Sequence, residues 1–278
     1  MFYSKSIYYM PKQSQVDYWE NEWDIRDLEK QIANGHKKAW WPVLEDILKT
    51  EVGPDDLVVE AGCGMGQFVY LMHQMGKKVV GVDVTEKAVE RTRKHYPELD
   101  LRVQDIRSFD LPDNSVKLML SLGVLEHFKE GPHDSLKEAA RVIQPNGIFF
   151  VTIPYNNYFR QLREPWWRVK HAVMQNKAFQ SITGSSDIEF YQYTYSEKEM
   201  TELLARYGFK VERVLLHHSH VAAAKDFKNA WWFKLLNKQL PTKELSSKAI
   251  KKWAARQEQI NPARFAHIAL YVARKVEH

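Results

Sequence analysis

Residues 58–68 read VVEAGCGMGQF, and this stretch decides the fold of the chain. An apolar run leads into Gly62, Gly64 and Gly66, and the pattern after them is typical of an amphipathic helix. Glycine permits positive φ and a close approach of ligand to backbone, while the first turn of a helix leaves N–H groups free to donate. A strand, a glycine-rich turn and a helix in this order predict a site for a polar or charged ligand. The alternative is a chance cluster of glycines.

The sequence on either side of this stretch alternates short apolar runs with amphipathic segments, which is typical of βαβ units and predicts a mainly parallel sheet. Two further helices are predicted between Gln13 and Thr50, and a later helix is predicted from its cap at Ser196 to Tyr207, with Gly208 ending it. The other predicted elements are strands at 57–61, 78–83, 101–105, 116–122, 147–153, 209–216 and 266–273 and helices at 67–75, 86–96 and 135–143. The fold class is therefore a doubly wound α/β sheet.

The chain is predicted to consist of a core with added segments. The predicted parts are an N-terminal helical cap at 1–52, the ligand-binding core at 53–156, a basic aromatic lid insertion at 157–190, a continuation of the core at 191–217, a basic helical insertion at 218–264 and the last core strand at 265–278. More than forty residues separate the last two strands, too many for a simple hairpin connection, so a helical insertion is expected there.

Composition limits the class of protein. The chain has 278 residues, 44% of them hydrophobic, which suffices for one substantial core. No run approaches the roughly 18 apolar residues of a membrane span, and the first ten residues lack the apolar run of a signal peptide. Cys63 is the only cysteine, so an internal disulfide is excluded and a reducing cytoplasm is expected. The two basic insertions carry more positive charge than the chain's net +5, so the core is acidic.

The predicted ends of three further strands carry candidate site residues. Asp83 ends VVGVD, where an acid can accept hydrogen bonds from both hydroxyls of a ribose, and a surface carboxylate is the alternative. Asp105 ends VQD, where a turn or helix-capping role is the alternative. A dinucleotide site is also considered, but its fingerprint requires glycine or alanine at the sixth position, where this chain has Gln67.

The order of these motifs resembles class I S-adenosylmethionine-dependent methyltransferases of the small-molecule type. The matching motifs are EAGCGMG at 60–66, VVGVD at 79–83, VQDI at 103–106, LSLGVLEHF at 120–128 and ARVIQPNG at 140–147, and the likeness resumes at 191–214. The resemblance implies a seven-stranded Rossmann-like sheet with an antiparallel last strand. It also implies S-adenosylmethionine as cofactor, S-adenosylhomocysteine as product, and cofactor contacts from Glu60, Gly62, Cys63, Gly64, Gly66, Asp83, Val84, Asp105, Ile106 and Leu122.

His127 is the candidate catalytic residue, because an imidazole can remove a proton near neutral pH. In many members of the family this histidine is structural, and that alternative stays open. The Ile153-Pro154-Tyr155 segment is similar to the Pro-Pro-Tyr motif of enzymes that methylate nucleobase amino groups, but it follows the fifth strand instead of the fourth, which argues against that substrate. His217, His218 and His220 have no acidic neighbour in sequence, so no metal site is predicted.

The function expected from sequence is methyl transfer to an oxygen or nitrogen of a small-molecule acceptor, anionic or sugar-like, by a cytoplasmic enzyme. The aromatic and basic segment around Trp166, Trp167 and Arg168 is interpreted as a lid over the acceptor or as a packed cover with a solvated face. Two other classes remain open. One is a modifier of nucleic acid or of a membrane-associated lipid or quinone that docks through the basic insertions, with nucleic acid the less favoured; the other binds the cofactor without turnover. Sequence does not give the oligomeric state.

Overall fold

The elements of the chain follow the predicted alternation of strands and helices. The computed structural model describes residues 6–11, 15–24, 27–158, 160–162, 165, 188–218, 255–256 and 258–277. Most of both predicted basic insertions, with Trp166, Trp167, Arg168 and His220, lies outside the described residues. Within the described part, no helix is long and apolar enough to cross a membrane.

The described elements are nine strands, seven α-helices and two short 3₁₀ helices. The strands are β1 (Ser6–Pro11), β2 (Leu57–Ala61), β3 (Lys78–Asp83), β4 (Asp100–Val103), β5 (Val116–Leu122), β6 (Ile143–Pro154), β7 (Ile188–Thr194), β8 (Phe209–His217) and β9 (Ile268–Lys275). The α-helices are α1 (Gln15–Asp24), α2 (Leu28–Gly35), α3 (Trp41–Thr50), α4 (Gln67–Gln74), α5 (Glu86–His95), α6 (His133–Val142) and α7 (Glu197–Arg206). The 3₁₀ helices are Leu125–His127 and Pro262–Arg264.

Seven of these strands form one sheet in the order β4-β3-β2-β5-β6-β9-β8. The neighbours from β4 to β6 pair in parallel, whereas β9 runs antiparallel to both β6 and β8. The prediction of a mainly parallel seven-stranded sheet with an antiparallel last strand is confirmed.

Both faces of this sheet are covered, because its central strands are apolar at successive positions and successive side chains point to opposite faces. One face carries Val59, Ala61 and Phe149 and packs against α6 and α7. The other face carries Val58 and Phe150 and packs against α3, α4 and α5. This two-sided packing is the doubly wound arrangement expected from sequence.

The N-terminal segment differs from the prediction of two helices. It forms three helices and is preceded by β1, which pairs antiparallel with β7 in a separate two-stranded sheet. The short run SIYYMP gains a partner only from residues far along the chain, and the local pattern does not reveal such a pairing.

Several element boundaries also differ from the sequence-based limits. The strand predicted at 101–105 ends at Val103, so Asp105 lies in the following loop. Ile143 begins β6 instead of ending α6, and Asn146 adopts a φ of 59° within the strand. The last strand begins at Ile268 and extends to Lys275.

The limits of α7 follow from local chemistry. The Ser196 side chain accepts a hydrogen bond from the Glu199 backbone N–H, and the Glu199 side chain accepts one from the Ser196 backbone, which together form a capping box. Gly208, with a φ of 79°, provides the left-handed residue that ends the helix. Both signals were read correctly from the sequence.

Candidate functional site

A cavity of about 610 Å³ opens at the carboxyl ends of the parallel strands. Crevices at this edge of an open α/β sheet are the usual ligand sites of such folds. Its lining contains side chains or backbone of Trp19, Trp23, Lys38, Trp40, Glu60, Gly62, Cys63, Gln67, Phe68, Asp83, Val84, Thr85, Asp105, Ile106, Arg107, Leu122, Gly123, Val124, His127, Phe128, Thr152, His217, His218, His267 and Ile268.

Every predicted site residue except Gly64 and Gly66 is among the lining residues. Those two glycines belong to the loop between β2 and α4 and shape it through backbone conformation, with φ of 54° and 69°. Gly66 is the N-cap residue of α4. The structure therefore brings together side chains that are spread over 67 positions of sequence, from Glu60 to His127.

The glycine loop is held close to its neighbours. The backbone N–H groups of Gly62 and Cys63 both donate to the carbonyl oxygen of Val82, at 2.7 and 3.0 Å. A Cβ added at Gly64 would lie 2.4 Å from the indole of Trp23 on α1, so α1 lies directly against the loop. Only glycine fits at this position, because the residue combines a positive φ with direct contact to an aromatic ring.

Asp83 is buried, and both oxygens of its carboxylate accept hydrogen bonds from the protein. Oδ2 accepts a hydrogen bond from the Gly64 N–H at 2.7 Å, and Oδ1 accepts from the Thr85 N–H at 2.9 Å and the Thr85 hydroxyl at 2.6 Å. The carboxylate thus fastens the glycine loop to the start of α5 while it lines the cavity. A carboxylate offers about four lone-pair sites, so it retains capacity for a ligand hydroxyl.

Glu60 lies at the end of β2 with 2% of its surface exposed, and its Oε2 has no hydrogen-bond partner. Burial raises the pKa of this carboxyl well above its usual range, and the nearby charge of Asp83 raises it further. A buried, unpartnered acceptor in a cavity wall is suited to a cationic or donor group of a ligand. The same conditions raise the pKa of the Cys63 thiol, so Cys63 stays protonated and is not a nucleophile.

Gln67, the first residue of α4, is a site residue that the sequence reasoning missed. Its side chain lines the cavity, and its buried Oε1 has no hydrogen-bond partner. In the sequence, Gln67 stands at the sixth position of the dinucleotide fingerprint, where it argues against a dinucleotide site. A polar side chain at the first helical position after a glycine-rich turn, beside the ligand, is the signal that could have identified it.

Asp105 follows β4 and forms a bidentate ion pair with Arg107, with the Arg107 Nε at 2.9 and 3.0 Å from the two carboxylate oxygens. This pair lowers the pKa of Asp105, so the carboxylate stays ionised. Oδ1 also accepts from the Arg107 backbone N–H at 2.9 Å, so the turn role considered from sequence is present as well. The Arg107 guanidinium lies over the ring of Phe128, 5.5 Å from its centroid, and both residues line the cavity.

His127 lies in the 3₁₀ helix after β5, and its imidazole contacts two aromatic rings. Its ring makes edge contacts with Trp19 and Tyr191, with centroids 5.0 and 4.9 Å apart. Because a carbonyl can only accept, the 2.9 Å contact between Nδ1 and the Tyr191 carbonyl places the proton on Nδ1. Burial lowers the pKa of His127 to about 4 and raises that of Glu126 to about 8, so both are neutral at pH 7 and do not form an ion pair.

The opposite end of the cavity is lined by residues from the last strands of the sheet. His217 ends β8, and His267 and Ile268 lie at the start of β9. His217 is buried and its pKa is lowered to about 3, mainly by burial. Among the residues described, no group of three or more histidine, cysteine or acidic side chains has the arrangement of a metal site.

Comparisons with known proteins agree with this geometry. Residues 59–151 match the methyltransferase domain family. A probable S-adenosylmethionine-dependent methyltransferase of Mycolicibacterium smegmatis is 31% identical over 158 residues, which cover 57% of this chain and 53% of that protein. The chain is thus similar to S-adenosylmethionine-dependent methyltransferases over this region. The glycine loop and strands β3, β4 and β5 lie within the matched residues.

Two further similarities concern other methyltransferases. A malonyl-[acyl-carrier protein] O-methyltransferase of Serratia marcescens is 25% identical over 116 residues, which cover 42% of this chain and 45% of that protein. The chain therefore spans about half the length of these curated relatives. A chain from the complex between the Haloferax volcanii Trm112 methyltransferase activator and a methyltransferase shares the fold, with a TM-score of 0.56 and 19% identity over 95% of this chain and 97% of that one.

The cavity offers groups that fit S-adenosylmethionine, the cofactor of the methyltransferases that this chain resembles. The cofactor carries a cationic sulfonium, an ammonium group, two ribose hydroxyls and a flat adenine ring. Oε2 of Glu60 and Oε1 of Gln67 are buried acceptors without a partner, and the Asp83 carboxylate has about one lone-pair site left for a ligand. Val84 is an apolar side chain left 44% exposed in the cavity wall, which suits the face of an aromatic ring.

Proposed function

We propose that this chain transfers the methyl group of S-adenosylmethionine to an oxygen or nitrogen of a small-molecule acceptor. The observation that carries the proposal is Glu60, a buried carboxyl whose Oε2 has no hydrogen-bond partner, in the wall of a cavity bounded by the glycine loop. An unpaired buried acceptor is costly, and a cationic ligand offsets that cost. Asp83 and Asp105 add two more acidic side chains to the same end of the cavity.

The cofactor would be held by the acidic end of the cavity. Asp83 would accept a hydrogen bond from one ribose hydroxyl, and Glu60 and Gln67 would face the amino-acid part. Asp105 would accept from the adenine amino group, with Val84 and Ile106 against the ring. Gly62, Cys63, Gly64, Gly66 and Leu122 would border the cofactor through backbone. The fit of the acceptors and of the exposed Val84 side chain supports this assignment.

Bound S-adenosylmethionine supplies a methyl group on a sulfonium, and its transfer leaves a neutral thioether while the acceptor loses a proton. The chain's own contribution is alignment and exclusion of water. Trp23 lies against the glycine loop and stacks with Trp19, with ring centroids 6.1 Å apart. Helix α1 therefore covers the end of the cavity at the glycine loop. The charge on the sulfonium disappears in the reaction, so a low-dielectric enclosure favours transfer.

His127 would orient the acceptor. With the proton on Nδ1, its Nε2 is the nitrogen that accepts a hydrogen bond from an acceptor hydroxyl or amine. Its pKa of about 4 makes the ring a weak base, so we assign it to positioning instead of to full proton removal. The proton that the acceptor loses would then pass to solvent. An acidic acceptor would already have lost this proton before it binds.

Calorimetric titration of the purified protein with S-adenosylmethionine, S-adenosylhomocysteine and NAD tests the cofactor. Micromolar binding of the first two without binding of NAD is expected. Binding of NAD alone would overturn the proposal. A coupled assay for S-adenosylhomocysteine production with a panel of phenols, sugars and carboxylic acids then tests turnover. The same assay is repeated with lipid vesicles and with RNA. Tight cofactor binding without turnover on any of these substrates would identify a binding protein instead of an enzyme.

A further inference from the structure

The polar residues of the cavity are divided by the order of the strands. The acidic residues Glu60, Asp83 and Asp105 lie at or just after the carboxyl ends of β2, β3 and β4, whereas His217 and His267 lie at the ends of β8 and β9. Four strand spacings separate β2 from β8, which is about 19 Å at the usual distance between neighbouring strands. A cofactor held by the acidic residues therefore leaves the histidine end for the acceptor.

His217 provides an unused polar group at that end. The side chain is buried, with 3% of the residue's surface exposed, lines the cavity, and its Nε2 has no hydrogen-bond partner. Its other ring nitrogen, Nδ1, is in hydrogen-bond contact with Nδ1 of His218. When His218 donates in that contact, the proton of the neutral His217 ring is on Nε2, and this nitrogen becomes a donor. A ligand that places a hydrogen-bond-accepting atom next to Nε2 favours this tautomer of His217.

Arg160 fixes the proton of the second histidine. Its Nη2 donates to Nδ1 of His267 at 2.8 Å, and its Nη1 donates to the carbonyl of Tyr155 at 2.9 Å. Because a guanidinium can only donate, Nδ1 of His267 is the acceptor and Nε2 carries the proton. Because this buried guanidinium is bonded to Nδ1, the Nε2–H of His267 becomes a stronger donor.

The charges around the two histidines favour an anionic partner. The guanidinium of Arg160 places a positive charge next to His267. Every carboxylate among the described lining residues belongs to the acidic end at β2, β3 and β4. Two imidazole donors, one of them in contact with a guanidinium, are suited to oxygen atoms that carry negative charge.

We propose that His217 and His267, with Arg160 behind His267, form a subsite that binds an anionic oxygen group of the acceptor, a carboxylate or a phosphate. This inference rests on the proposed function, because it assumes that the cofactor occupies the acidic end. The reacting atom would lie near His127 after β5, which is three strand spacings from β8, or about 14 Å. The acceptor would then carry its anionic group at a distance from the atom that is methylated.

The test is a calorimetric titration of the full chain saturated with S-adenosylhomocysteine. The probes are benzoate and phenyl phosphate, with benzyl alcohol as the uncharged counterpart. We expect at least one anion to bind ten times more tightly than the alcohol. Preference for benzoate identifies a carboxylate and preference for phenyl phosphate identifies a phosphate ester. Equal binding of all three probes, or no binding of either anion, would overturn the proposal.

Variants locate the subsite. His217→Leu and His267→Leu should each weaken anion binding about tenfold with little change in S-adenosylhomocysteine affinity, and His217→Gln and His267→Gln, which keep an N–H donor, should restore most of it. His95→Leu, an exposed histidine on α5, is the control. Wild-type anion affinity in both leucine variants would overturn the proposal. Loss of S-adenosylhomocysteine binding by the wild-type chain would instead count against the proposed function.

Histidine nitrogen signals of the wild-type chain provide a measurement that does not depend on folding of a variant. With ¹⁵N-labelled histidine, addition of the preferred anion should shift the Nε2 resonances of His217 and His267 and leave those of His95 unchanged. Unshifted signals of His217 and His267 at saturating anion would contradict the subsite.

Discussion

The backbone N–H of Gly64 donates to the carboxylate of Asp83 at 2.7 Å, across 19 positions of sequence. The acid expected to bind the ribose is therefore also the group that fastens the glycine loop. Binding and folding are coupled at this residue, because one carboxylate serves both. Variants at Asp83 must be interpreted with both effects in view.

Asp83→Ala is expected to weaken cofactor binding more than tenfold and to lower the free energy of unfolding by about 1–3 kcal/mol, because three protein donors lose their buried acceptor. Asp83→Asn, which retains one acceptor oxygen, should lose less stability. Urea denaturation and calorimetry measure both quantities.

Asp56→Ala is a matched control for this experiment. Oδ2 of Asp56 accepts from the Gly53 N–H at 2.8 Å in a loop that does not line the cavity. This variant should lose some stability and keep full cofactor affinity. Unchanged stability of Asp83→Ala would show that the carboxylate does not hold the loop.

Glu60 is expected to make cofactor binding pH-dependent. Its pKa is raised in the folded protein, mainly by burial, so the folded chain retains a proton that the unfolded chain has lost above the ordinary glutamate pKa of about 4.3. Stability attributable to Glu60 is therefore present below that pH and decreases as the pH rises toward the folded-state pKa. A bound cation favours the ionised form, so binding should release a proton and strengthen over the same interval.

Calorimetry in two buffers of different ionisation enthalpy measures that proton release. Glu60→Gln should abolish it and give a flatter dependence of unfolding free energy on pH. Proton uptake on binding by the wild-type chain, or the same proton release in Glu60→Gln, would contradict the assignment of Glu60 to the cationic part of the cofactor.

Gly64→Ala should destabilise the chain more than Gly76→Ala. Both glycines have positive φ, of 54° and 72°, and this conformation costs a residue with a Cβ about 1–2 kcal/mol. The added Cβ at Gly64 also meets Trp23 at 2.4 Å, whereas nothing lies within 4 Å at Gly76. The difference in unfolding free energy between the two variants therefore measures the contact of α1 with the glycine loop.

The double variant Gly64→Ala with Trp23→Ala separates the clash from other effects. If the clash explains the difference, Gly64→Ala should cost no more than Gly76→Ala when measured in a Trp23→Ala background. A larger cost in that background would show that the loop, and not α1, resists the substitution.

His127 is expected to remain neutral down to about pH 4 in the folded protein, because burial disfavours the imidazolium. Its unfolded pKa is about 6.5, so the unfolded chain takes up the proton first as the pH falls. The stability contributed by the neutral ring is full above that pH and decreases below it, by up to about 3 kcal/mol at pH 4.

His127→Gln should remove this part of the acid sensitivity. Unfolding free energies at pH 7.5 and 5.0, compared with the exposed control His95→Gln, measure the effect. A ¹⁵N titration in which His127 becomes protonated near pH 6.5 would contradict the buried, neutral state and would make it a stronger candidate for a general base.

Much of the fold could be predicted because its signals are local. The limits of β2, β3 and β5 agree with the apolar runs, since buried parallel strands are continuous apolar segments. The pairing of β1 with β7 could not be predicted, because neither segment specifies a distant partner. The start of β6 at Ile143 was also missed, because an apolar residue after an amphipathic helix fits either element.

The sequence by itself determined the class of site, because the glycine loop and the acids at the strand ends are read from consecutive residues and their strand context. Only the tertiary structure decided which other residues share the cavity. Trp19, Gln67 and His217 reach it from α1, α4 and β8, and the Arg160–His267 contact joins residues 107 positions apart. Which residues become neighbours depends on how the helices and strands pack. The local sequence pattern predicts each helix or strand, but it does not predict which of them pack together around the cavity.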